Sequence, residues 1–191
     1  DCGGIIMVTR NLPIELSTLN LPDSGETTIP PAQCIAAGGG SLSTGNFRLV
    51  YFTAAKTESI TKISTYAATA AAATPTLCRV GIYTIDGSGN LTLAASIAND
   101  TTIWSNNGVE YERALDVTFE KVAGTRYAVG VLCVTGQTAP NLAGMQGSNP
   151  LINAIAPRLT GTIGSQTDLP ASVAVGSIGN TAIRQFFWLK P

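Results

Sequence analysis

The chain has 191 residues, 11 Lys and Arg against 12 Asp and Glu, no histidine, and a formal net charge of −1. Charged side chains make up 12% of it, about half the usual share of ~25%, and Thr, Ser, Asn, Gln and Gly carry the polarity instead. Without histidine a Ser–His or Cys–His nucleophile pair is excluded. The cations are scattered from Arg10 to Lys190, whereas a nucleic-acid partner needs several on one face.

The length accommodates one compact domain plus an extra segment. Residues 1–27 carry Pro13, Pro22 and several turn formers without a sustained period, and read as an extended N-terminal arm. Ile5-Ile6-Met7-Val8 is shorter than the apolar region of a secretory leader, about 7–15 residues. No apolar run approaches the ~20 residues of a membrane-spanning helix. Residues 28–191 form the expected domain. AAGGGSLSTGN, with three successive glycines, is a loop.

From Phe47 the composition turns aromatic and β-branched. FRLVYFTA (47–54) predicts a strand, and SITKISTYA (59–67) a weaker one. ATAAAATPT (68–76) reads as a connecting loop, because Pro75 disfavours helix at Thr74 and a helix this short is marginal. CRVGIYTI (78–85) and NLTLAASI (90–97) flank DGSGN, a hairpin signal. YERALDVTFE (111–120) alternates with period two. Tyr111, Arg113, Leu115, Val117 and Phe119 are expected toward the core and Glu112, Asp116 and Glu120 toward water. RYAVGVLCV (126–134) is apolar on both faces, the pattern of a central strand. Residues 137–182, rich in Gly, Pro and Asn, are too long for a plain loop and predict short strands. IRQFFWL (183–189) reads as the last strand. About seven or eight strands without an amphipathic helix predict an all-β antiparallel β-sandwich or jelly roll with an extended N-terminal arm.

Reactive chemistry is sparse. Glu110, Glu112 and Asp116 lie close in sequence, but a glycosidase needs two carboxylates across a cleft, and a solvated strand face explains these acids better. DGSGN begins like a calcium loop, yet Leu91 and Ile97 stand where that loop needs Gly and Glu. The four cysteines, Cys2, Cys34, Cys78 and Cys133, lack CxxC spacing; no metal site is expected. Cys78 and Cys133, in apolar strands, read as buried free thiols. Neither a catalytic residue nor a cofactor is expected. Trp104, beside Asn106 and Asn107, is the candidate glycan contact, by stacking and amide hydrogen bonds; the competing reading is a tryptophan that plugs the end of the sandwich. Trp188, Phe186 and Phe187 are expected in the core.

PAQC (31–34), FRLVYFTAAKTESITKI (47–63), ATPTLCRVGIYTIDGSGNLTL (73–93), ANDTTIW (98–104), RYAVGVLCVTG (126–136), PRLTG (157–161) and SQTDLPASV (165–173) occur in this order. On these stretches the chain resembles a domain of minor tail and other virion proteins of actinobacteriophages. The resemblance implies a non-enzymatic β-sandwich component of the particle, assembled in the bacterial host cytoplasm. Its position would be either tail-associated, as minor tail or fibre protein with host-surface adhesion, or capsid-surface decoration. The partners it implies are other virion proteins, a host cell-surface glycan, and further copies of the chain, a trimer among the candidate states. The arm lies outside the resemblance and is expected to attach the module to the particle. The alternatives are a free carbohydrate-binding module and a hydrolase of a cell-wall polymer.

Overall fold

The computed structural model of the chain describes residues 24–36, 39–146 and 149–191. The arm expected over residues 1–27 lies outside the described residues as far as residue 23. Its last residues form strand β1 (Glu26–Thr27).

The fold is an all-β antiparallel sandwich. One sheet runs β1, β13 (Phe187–Lys190), β3 (Glu58–Ala70), β6 (Val109–Lys121), with β8 (Asn141–Leu142) also paired to β3. The other runs β10 (Thr160–Ile163), β2 (Phe47–Thr53), β7 (Arg126–Thr135), β4 (Pro75–Ile85), β5 (Leu91–Ser96), β11 (Ser172–Val173). A two-stranded ribbon joins β9 (Gly144–Met145) to β12 (Arg184–Gln185), and a single turn of helix, α1, spans Pro150–Ala154.

Period-two burial builds the layers. Val50 and Phe52 of β2, Cys78, Val80 and Ile82 of β4, and Tyr127, Val129 and Val131 of β7 face the other sheet. There they meet Ile60 and Ile63 of β3, Tyr111 and Phe119 of β6, and Phe187 and Leu189 of β13. The alternate residues of the six-stranded sheet, Phe47, Leu49, Tyr51, Tyr83, Ala128 and Leu132, form a second core on its outer face. Leu169, Val173 and Ile178 close over that face. The 137–182 region therefore supplies β8 to β11 and α1, as its length suggested, and also a lid for the second core.

Two elements, β3 and β6, depart from the sequence reading, and β5 carries a register slip. The strand read as 59–67 is 13 residues long and lies at the centre of its sheet. It extends into the alanine stretch, where only residues 71–74 remain as connection. In β5 the register slips between Ile82↔Ala95 and Tyr83↔Leu93. The extra residue flips the strand, so Leu91 joins the outer core and Ala95 the inner one. In β6 the register jumps from Ile60↔Phe119 to Lys62↔Ala114. Residues 115–118 bulge there, and Val117, expected inside, is 53% exposed. The bulge carries Asp116 across to the other sheet, where its carboxylate accepts hydrogen bonds from the Ser96 amide (2.8 Å) and hydroxyl (3.0 Å).

The hairpin predicted at DGSGN is present. Asp86 accepts hydrogen bonds from the amides of Ser88 and Asn90 and from the Asn90 side chain, and Gly89 takes a φ of +86° that favours glycine. Cys78 and Cys133 face each other as free buried thiols with sulfurs 3.7 Å apart. The hydrogen bond between them and burial push the Cys78 thiol up, so it stays protonated.

Gly130 sets the packing of the outer core. A Cβ there would lie 2.4 Å from the Phe47 ring and 2.9 Å from the Tyr83 ring, and these rings meet edge to face at 5.5 Å. Gly130→Ala should cost about 1–3 kcal/mol through overpacking, read as a lower denaturation midpoint with an unchanged m-value.

Candidate functional site

Trp104 lies in the 97–108 crossover from β5 to β6, fully buried in the inner core. Its indole Nε1 donates to Thr65 Oγ1 (2.7 Å), and its carbonyl accepts from the Ala72 amide (2.8 Å). The residue has a φ of +65°, a left-handed conformation that costs about 1–2 kcal/mol and that the buried indole holds in place. It presents no face to solvent for a sugar. Of the three residues named as a glycan contact, only Asn106 and Asn107 are exposed. Trp188, expected in the core, is only partly buried and lies under the Lys190 ammonium at 4.1 Å.

The carboxylates singled out in the sequence are engaged by partners. Lys190 reaches Glu110 (2.9 Å) and Glu112 (2.8 Å), and Lys62 reaches Glu112 (3.0 Å). The register of β13 on β3 puts the two lysines side by side. Hydrogen bonds and charge from Lys190 and Lys62 hold Glu112 below the usual carboxylate range. Burial pushes Glu110 up, but Lys190, Ser64 and Tyr66 outweigh it and the net shift is down. Asp100 pairs with Arg113 at 2.6 Å, and Asp168 with Arg79 at 2.9 Å. Arg113 thus pairs, as its place on the core-facing side of β6 demanded.

A buried ion triad ties the end of the arm to the sandwich. Lys121, wholly buried, sits 3.0 Å from Glu26 of β1 and 3.3 Å from Glu58 of β3, and donates to the Lys56 carbonyl (2.8 Å). Glu58 also accepts from the Gly25 amide (3.2 Å). Burial pushes Glu58 up, but the Gly25 amide and Lys121 outweigh it and leave it below its ordinary value.

Beside this triad opens a cleft of about 280 Å³, walled by β1, β2, the start of β7, the 157–159 segment and β12. Its wall carries two cations, Arg126 and Arg184, and one acid, Glu26. That acid pairs with Lys121 (3.0 Å) and accepts a hydrogen bond from the Ala55 amide (2.8 Å). Arg126 lies over the Tyr51 ring, 5.4 Å from its centroid, and donates to the Arg158 carbonyl. Arg184 donates to the Thr28 carbonyl (3.2 Å). Burial lowers the pKa of both arginines, but from so high a value that both remain charged. Burial pushes the Tyr51 phenol up, against Arg158 and Arg126, and keeps it a neutral donor. Nothing in the sequence spacing gathers these side chains; β-pairing across long separations does.

No family model and no curated protein matches the chain.

Lys121→Met should leave two largely buried carboxylates without their cation and cost about 3–5 kcal/mol. The native Glu58 pKa is depressed, so its contribution is complete above ~4.3, the unfolded value, and falls away as acid protonates the native carboxylate. Without Lys121 the sign reverses. In thermal melts the variant should gain stability between about pH 7 and 5, a window in which the wild type does not.

Proposed function

We propose that the chain is a non-enzymatic bacteriophage virion protein that works by contact, as a tail-associated minor tail or fibre component or as capsid decoration. Its partners are neighbouring virion proteins and further copies of itself, and it is assembled in the bacterial cytoplasm. The ordered resemblance over residues 31–173 supports the class.

One observation supports a contact role in particular. In NPLINAIAP, Asn149 caps α1 by accepting the Leu151 amide (2.8 Å), and Pro150 occupies the first helical turn. Asn153 is buried and donates to the Thr181 carbonyl (3.0 Å), while its own carbonyl accepts the Leu159 amide (2.8 Å). The turn is anchored from beneath, yet Leu151, Ile152 and Ile155 are 68%, 60% and 65% exposed. Single exposed aliphatics are ordinary; three on one anchored turn form an apolar contact surface. The ion-paired carboxylates favour the same role over hydrolysis, which needs two acids facing one cleft.

Mass spectrometry of purified heads and tails should find the chain in one of them. High copy number on heads would assign decoration and low copy number on tails adhesion; absence from both would end the proposal. The triple variant Leu151→Ser, Ile152→Ser, Ile155→Ser should keep its melting temperature and lose incorporation several-fold. Full incorporation of that variant would remove the α1 turn from the contact surface.

A further inference from the structure

Charges in this protein are few, and their pairing is uneven. Lys62, Arg79, Arg113, Lys121 and Lys190 each hold a carboxylate oxygen at 3.0 Å or less. Four arginines do not. Arg48 reaches the Thr181 hydroxyl, Arg126 the Arg158 carbonyl, Arg158 the Gly179 carbonyl and Asn180 side chain, and Arg184 the Thr28 carbonyl. All four lie on or beside the β10–β2 end of the six-stranded sheet. Among the described residues, none of the four forms an ion pair with a carboxylate.

Two of these arginines, Arg126 and Arg184, line the cleft. A guanidinium offers five N–H donors in a planar fork, and each of these directs only one to a protein acceptor among the described residues. Two guanidinium groups that line one cleft, neither paired with a carboxylate, offer what an oxyanion needs. Arginine forks match carboxylate and phosphate oxygens in pairs.

We infer that this cleft binds an oxyanion, a carboxylate or phosphate carried on a small body, with Arg126 and Arg184 as its cationic clamp. The Tyr51 ring braces Arg126 from behind, and Pro157 and Leu159 supply an apolar wall. The volume of about 280 Å³ lies at the lower end of ligand pockets, about 300–1,000 Å³. It suits one ring-sized acidic unit, such as a uronic acid, rather than a buried oligomer. The inference stands apart from the virion assignment, since it concerns only what this cleft accepts.

The full chain should be titrated calorimetrically with D-glucuronate and with glycerol phosphate, using glucose and glycerol as neutral counterparts. Saturable binding of an acid at one site per chain, without binding of its neutral twin, is the expected result. The tighter of the two acids identifies carboxylate or phosphate as the preferred group. Arg126→Gln and Arg184→Gln should each abolish the heat, while Lys62→Gln, on the other sheet, should leave it unchanged. Should either arginine variant fail to fold, Arg126→Lys and Arg184→Lys, which keep the charge and lose the planar fork, should weaken binding several-fold. Acids that bind no better than their neutral twins would overturn the proposal, as would unaltered binding in the arginine variants.

Discussion

The six-stranded sheet is buried on both faces, and the rest of the molecule is arranged around that constraint. Strands β2, β4 and β7 must present apolar side chains up and down, and the charges they carry, Arg48, Arg79 and Arg126, are only partly buried. Gly81 and Gly130 keep the outer face low enough for Phe47, Tyr83 and Leu169 to lie across it. A sheet with two dry faces needs two covers. The five-stranded sheet is one. The segment that carries Leu169, Val173 and Ile178 is the other, pinned by the Tyr83 hydroxyl on the Pro170 carbonyl (3.0 Å) and by the Leu93 amide on the Ala171 carbonyl (2.9 Å).

This explains which parts of the fold were legible. RYAVGVLCV, apolar on both faces, announced a central strand because double burial leaves no polar positions to misread. DGSGN announced its hairpin because Asp86 and Gly89 serve the turn by local chemistry alone. The bulges in β5 and β6 were not legible. A bulge changes no residue type; it changes which neighbour a residue meets, and only the partner strand sets that. The length of β3 was hidden for a similar reason. Its alanines have little strand preference of their own and extend because Val109 and Leu142 pair with Ala67 from either side.

The candidate site was less legible still. Trp104 was visible as an aromatic among asparagines, but its environment decides its role, and a crossover between two sheets is where a large side chain fills the seam. Its left-handed backbone has no signature in residue type. Lys121, last residue of an exposed-looking strand, gave no hint that it would be the buried partner of two glutamates 63 and 95 residues upstream. The two arginines of the cleft, Arg126 and Arg184, stand 58 positions apart, and scattered charge reads as solubility until pairing gathers it.

Because two layers of core consume both faces of one sheet and the inner face of the other, contacts with anything outside fall to seams, loops and the single open face. That open face is a ladder of lysines and glutamates that neutralise one another. Ion pairs satisfied in place offer little to a partner, since docking would have to desolvate them without new counter-charges. The seams differ. The α1 turn shows aliphatics held up by a buried asparagine, and the β1–β2 cleft shows two guanidinium forks that no carboxylate pairs with. The turn lies wholly in the weakly periodic segment 137–185, and the cleft draws on that segment and on 24–28 as well as on the ends of β2 and β7. A strand in a double-sided core is held to its composition by packing on every side, whereas a segment that only covers it is free to carry side chains that packing does not need. Recognition chemistry therefore accumulates where the period-two pattern ends.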